Sequence, residues 1–193
     1  IASLFISSCA PTYVPNSVSA PFFNKKRQTL ISGYCGGSGA EIQTAHSISD
    51  RFYMLANANY RGILIYNEQI YFGEIGWGYL KKFYENSIFD ISGGIGGGNV
   101  NSKYVEFLCV FDCNKYYFEG NYLKLFFQPS IGYVLKDSEL GFCIRNSFVT
   151  FPKYYYKINS SKSFQDSDKV IFSEPALFCR FGGERLKIFG QGG

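Results

Sequence analysis

From Gly120 to Val134 the chain reads GNYLKLFFQPSIGYV, and its residues alternate in kind. One parity holds Leu123, Leu125, Phe127, Pro129, Ile131 and Tyr133. The other holds Lys124, Phe126, Gln128, Ser130 and Gly132. Successive side chains of a strand point to opposite faces, so this is a strand with one apolar and one mixed face. The pattern recurs. Leu140, Phe142, Ile144 and Phe148 oppose Glu139, Gly141, Cys143, Arg145 and Ser147. Tyr71, Ile75, Trp77 and Tyr79 oppose Glu74, Gly76 and Gly78. Ile171, Leu177 and Phe181 oppose Glu174 and Arg180. The mixed face is the constraint, because it is rich in glycine and small residues and carries sparse charges of both signs. A water-facing strand surface carries denser Lys and Glu. A narrow barrel interior instead requires small residues and charges that can pair, since a lone buried charge is costly. A secreted β-sandwich shows the same alternation and is the competing architecture.

Strands and turns account for nearly everything after residue 28. The expected strands are 28–35, 39–49, 51–60, 68–81, 87–98, 120–134, 138–151, 169–181 and 184–193. Tight turns fall at Ser49-Asp50, Tyr84-Glu85-Asn86, Leu135-Lys136-Asp137 and Gly182-Gly183. Longer connections are expected at 61–67, 99–119 and 151–169. Short turns alternating with long loops are the signature of an antiparallel up-and-down transmembrane β-barrel of 8–10 strands. Nine strands are read and such barrels use even numbers. The expectation is therefore a ten-stranded barrel truncated at its C-terminus, or an eight-stranded one in which 28–49 is a single strand. Phe (20), Tyr (16) and Gly (21) favour strands over long helices. No run of eighteen apolar residues exists, which excludes a transmembrane helix. A net charge of +4 without any basic run gives no sign of nucleic-acid binding.

The run DISGGIGGGNV at 90–100 looks at first like a phosphate loop. A dinucleotide fingerprint fails, because Asn99 and Asn101 stand where its third glycine belongs. A P-loop fails because Asn99 follows Gly98. Strand parity explains the run better: Asp90, Ser92, Gly94, Gly96 and Gly98 share the mixed face. There they leave room for long neighbours such as Lys124 or Arg145.

The N-terminal stretch has a different character. Ile6-Ser7-Ser8-Cys9 resembles a bacterial lipobox, with APTYVPNSVSAP following as a Pro-rich linker. Residues 1–8 are then the remnant of a lipoprotein signal peptide, 9–27 an extended tether, and 28–193 the barrel domain. Taken with SGAEIQTAHSISDRFYMLANANY and GEIGWGYLKKFYENSIFDISGGIGGGNV, the segment CAPTYVPN…APFF resembles the small lipobox-bearing outer-membrane barrels of the Bacteroidota. The resemblance spans most of 9–190. It implies a bacterial outer-membrane location, a Tyr/Phe-rich barrel and Cys9 as the lipidation site. It implies no activity.

Little chemistry is evident. His46, the only histidine, shares a parity with Ile42 and Ile48 and so faces lipid near the Ser49-Asp50 turn. Multi-histidine zinc sites are excluded, and no cofactor is expected. Cys109 and Cys113, in the longest loop, have a spacing that allows a local disulfide. The expected lumen charge network is Glu41, Glu74, Asp90, Lys124, Arg145, Glu174 and Arg180, with Lys187 at its margin. Arg145 and Arg180 are expected to pair with Glu74, Asp90 or Glu174. The resulting expectation is a non-enzymatic outer-membrane barrel lipoprotein. Its role is structural or surface-binding, and its lumen is plugged by small and paired charged residues. Its partners are outer-membrane lipid and, at loops 99–119 and 151–169, glycan, lipopolysaccharide or protein. The alternatives are an outer-membrane lipid or peptide hydrolase, or a narrow channel.

Overall fold

A computed structural model describes residues 17, 20–23, 26–36, 39–63, 68–105, 115–158, 162–182 and 187–192. They form nine strands: β1 (Thr29–Gly36), β2 (Gly39–Ser47), β3 (Phe52–Ile63), β4 (Glu68–Lys82), β5 (Ser87–Val105), β6 (Lys115–Val134), β7 (Ser138–Ile158), β8 (Lys162–Gly182) and β9 (Lys187–Gly192). Each pairs antiparallel with the next, in the order β1 to β9, within one sheet. The sheet curls into a half-barrel, and no helix occurs among the described residues. β1 and β2 are separate strands paired with each other, so the eight-stranded alternative with a single strand over 28–49 is overturned.

The first three tight turns close as their residues suggest, and Gly183 of the fourth lies outside the described residues. The amides of Ile48 and Ser49 both donate to Phe52 O, and Ser49 Oγ accepts from the Phe52 amide at 3.1 Å. Leu135 N donates to Ser138 O at 2.7 Å. At the opposite rim the expectation of long loops is corrected. β5 continues to Val105 and β6 begins at Lys115; β7 continues to Ile158 and β8 begins at Lys162. Most of 99–119 and 151–169 is therefore strand. Two different causes hid this. In β5 the outward residues turn polar at Asn99 and Asn101 while the ladder continues through Asn99↔Asn121. In β7 the register with β6 shifts between Thr150 and Lys153, which inserts one extra residue beside Pro152. A bulge is where a ladder tolerates proline, and it inverts the parity of everything beyond it. Phe151 faces inward, yet so does Tyr154, while Lys153 and Tyr155 are exposed.

The concave face is layered. Near the short-turn rim, Tyr53, Leu55, Leu80, Ile88, Phe126 and Phe178 form one apolar cluster. Near the opposite rim, Ile70, Phe72, Val100, Tyr122, Val149 and Phe151 form a second. Glu74, Lys124 and Arg145 lie between them, while Asp90, Glu139 and Arg180 lie within or rimward of the first cluster. Within the expected tether 9–27, Ala20, Pro21, Phe22 and Phe23 are buried, and Ala20, Phe22 and Phe23 belong to the first cluster, so they form part of the folded interior. Cys9, Cys109 and Cys113 lie outside the described residues, as do residues 1–8.

Candidate functional site

Glu74 is the centre of the charged layer. The register places Asn57, Glu74, Gly96, Lys124 and Val149 in one row across β3 to β7. Gly96 stands between the acid and the lysine, two strand spacings apart. With no side chain intervening, Lys124 Nζ reaches Glu74 Oε2 at 2.8 Å. A Cβ at Gly96 would lie 2.7 Å from Glu74 Cβ. Glu74 Oε1 accepts from Asn57 Nδ2 at 2.6 Å and from Arg145 Nη2. Lys124, Arg145 and Glu74 are all buried. Aromatic faces complete the cations' surroundings. Arg145 lies 4.2 Å from the Phe126 ring centroid and Lys124 5.0 Å from that of Phe72.

The structure brings Glu74, Lys124 and Arg145 together, keeps Glu174 beside them, and places Glu41, Asp90 and Arg180 elsewhere. Glu174 is the register partner of Arg145 on β8. Asp90 accepts from Tyr53 OH at 2.7 Å and pairs with neither arginine. Arg180 pairs with Glu139 at 2.8 Å, an acid outside the expected set. Glu139 was visible on the same parity as Arg145, and only its register with Arg180 identifies the pair. Glu41 accepts from Gln43 Nε2 at 2.7 Å and from the Ser17 amide at 2.9 Å. Lys187 pairs in register with Gly182, and its side chain lies outside the described residues. Over Gly96 the room serves Lys124, as expected, while over Gly94 and Gly98 other neighbours take it. A Cβ at Gly94 would meet Ile75 O at 2.1 Å and Phe126 Cε1 at 2.7 Å, and one at Gly98 would meet Phe72 Cβ at 2.5 Å.

The N-terminal residues complete this interior. Gln43 Nε2 donates to Ser17 O at 2.6 Å, and Arg180 Nη1 donates to Ala20 O at 2.8 Å. The Phe22 ring lies 5.6 Å from that of Phe178, and Phe23 meets Tyr53 edge-on at 5.7 Å. Cys143 is buried on this face as a free thiol. Among the described residues, no group of three His, Cys, Asp or Glu side chains could hold a metal ion.

The convex face is apolar and exposed, and its residues fall in cross-strand rows. Phe52 pairs with Tyr79 at one level and Tyr60 with Tyr71 at another. Between them lie Met54, Ile75, Trp77, Ile95, Leu125 and Phe127, each about half exposed. A shallow groove of about 790 Å³ crosses this face over Ala56, Gly73 and Gly97, walled by Ile75, Ile95, Leu123, Leu125 and Phe148. The Tyr60–Tyr71 row continues through Asn99 and Asn121 to Lys153, and above it the outward residues include Gln69, Asn101, Glu119, Tyr155 and Lys157. His46 is on this outward face, where its Nδ1 lies 2.9 Å from Thr29 Oγ1. Comparison with known proteins found no matching family model, curated relative or solved structure.

Proposed function

We propose that this sheet is the wall of a bacterial outer-membrane β-barrel, closed by one further strand. Its interior is filled, and its role is structural or surface-binding rather than enzymatic. The supporting observation is the belt on the convex face. On β6 it runs from Leu123 to Tyr133, which at a tilt of ~40° spans about 26 Å, close to the apolar band of such barrels. Tyr60–Tyr71 bound it on one side and Phe52–Tyr79 on the other, as aromatic girdles do. A contact surface for glycan, lipopolysaccharide or protein is the raised wall of β5 to β8, where Glu119, Lys153, Tyr155 and Lys157 project outward beyond the belt.

The edges support closure. Among the described residues, no Cα of β1 lies within 8 Å of one in β9, yet the Tyr34 and Phe189 rings stand 4.9 Å apart. Neighbouring strands are ~4.8 Å apart, so a one-strand gap measures about 10 Å. β1 and β9 run in the same direction, and one strand between them would be antiparallel to both.

The chain's one tryptophan tests the reading. Trp77 is 57% exposed within the belt, one outward position inside the Phe52–Tyr79 boundary. Its fluorescence in vesicles should be quenched strongly by lipids brominated on the acyl chains and weakly by aqueous iodide. The reverse order would place the belt in water and remove the membrane reading.

A further inference from the structure

Ser17 and Ala20–Phe23 pair with no strand, yet the sheet's inward side chains hold them by their backbone. Glu41 takes the Ser17 N–H and Gln43 donates to the Ser17 carbonyl, so both backbone groups of one residue are bound. Arg180, itself buried and paired with Glu139, donates to the Ala20 carbonyl. The Phe23 amide turns back to Pro21 O at 3.0 Å, a γ-turn that sends Phe22 and Phe23 to different walls. The Phe22 ring enters space left by a glycine, and the Phe23 ring packs on Tyr53, whose own ring fills the space over another. At Gly132 a Cβ would lie 2.1 Å from Phe22 Cε2. At Gly78 it would lie 1.9 Å from the ring of Tyr53, which packs on Phe23.

We infer that the concave face is a binding site for a short aromatic peptide, occupied in this chain by its own N-terminal segment, which stoppers the interior. Glu41, Gln43 and Arg180 read backbone and accept many sequences. The pocket opposite Gly132 and the ring of Tyr53 read two adjacent aromatic rings. A peptide of that kind from another source fits the same site once the chain's own segment leaves. The inference deepens the filled-barrel reading, but the site itself needs only the curled sheet.

The test uses the full chain in detergent and a fluorescent peptide, SVSAPFFN, copying residues 17–24. A tethered segment competes at an effective concentration of about millimolar. The peptide should therefore bind the Phe22→Ala/Phe23→Ala chain about tenfold or more tightly than the unaltered chain. Adding Gly132→Leu should abolish that binding, and a peptide with both Phe replaced by Ala should not bind. Equal binding to both chains, or none to the double variant, overturns the inference. Should the double variant not fold, Ala20→Cys in the otherwise unaltered chain decides. Its thiol should react with maleimide about tenfold or more slowly than exposed Cys35, because access requires local opening. Equal rates overturn the inference. Neither result depends on Trp77 quenching, so failure here and failure of the membrane reading are distinguishable.

Discussion

Glu74 holds two cations, and that asymmetry sets what single substitutions do. Arg145→Ala removes one of them together with its stacking on Phe126. Breaking a buried pair costs on the order of 3–5 kcal/mol, mostly through the charge left behind. For a chain of this size that lowers the melting temperature on the order of 10 °C. Glu74→Gln should cost at least as much, because it leaves Lys124 and Arg145 facing each other. Lys153→Ala, on the exposed face, should shift stability by no more than about 0.5 kcal/mol. Equal melts for Arg145→Ala and Lys153→Ala would show that Arg145 is solvated. Which residues face inward was legible from parity alone: Glu74, Lys124 and Arg145 all lie on the mixed face. Which acid meets which base was not. Arg180 meets Glu139 because the β7–β8 register sets them side by side, and register is a property of two strands together.

The strands show the same division between local and paired information. β4, β6 and the lower part of β7 were readable, because each carries an unbroken two-residue period. The upper part of β7 was not, because the extra residue at Pro152 inverts the period and makes a continuing strand look like its end. The glycines of β5 were assigned to the correct face, but what covers them is decided by neighbouring strands. Room differs between Gly94 and Gly73, a convex-face glycine of the neighbouring β4. At Gly94 an added Cβ would stand 2.1 Å from Ile75 O, a backbone atom that cannot move without β4. At Gly73, on the convex face, the nearest atom is Asn57 O at 3.7 Å. Gly94→Ala should therefore destabilise by about 1–3 kcal/mol, as overpacking does. Gly73→Ala should stay within about 0.5 kcal/mol. Equilibrium denaturation of the two variants side by side measures the contrast. If Gly94→Ala were as mild as Gly73→Ala, the inner face of β5 would not be in close contact.

On the proposed reading, the gap between β1 and β9 takes one more strand to close the barrel. The sequence pointed to an even number through a general rule about barrels; the structure adds a separate geometric argument. Tyr34 and Phe189 touch across the opening, so the edges already curve toward each other. They cannot pair directly while their Cα atoms stay more than 8 Å apart. A disulfide requires Cα atoms about 4.4–6.8 Å apart, which makes it a ruler for this gap. Tyr34→Cys with Phe189→Cys, in a chain whose Cys35 and Cys179 are Ser, should form no disulfide under mild oxidation. Gly33→Cys with Ile42→Cys, register partners on β1 and β2, gives the positive control. Should the Tyr34/Phe189 pair oxidise as readily as that control, β1 and β9 lie side by side. The half-barrel would then close on itself with nine strands, the join would be parallel, and no further strand would be needed.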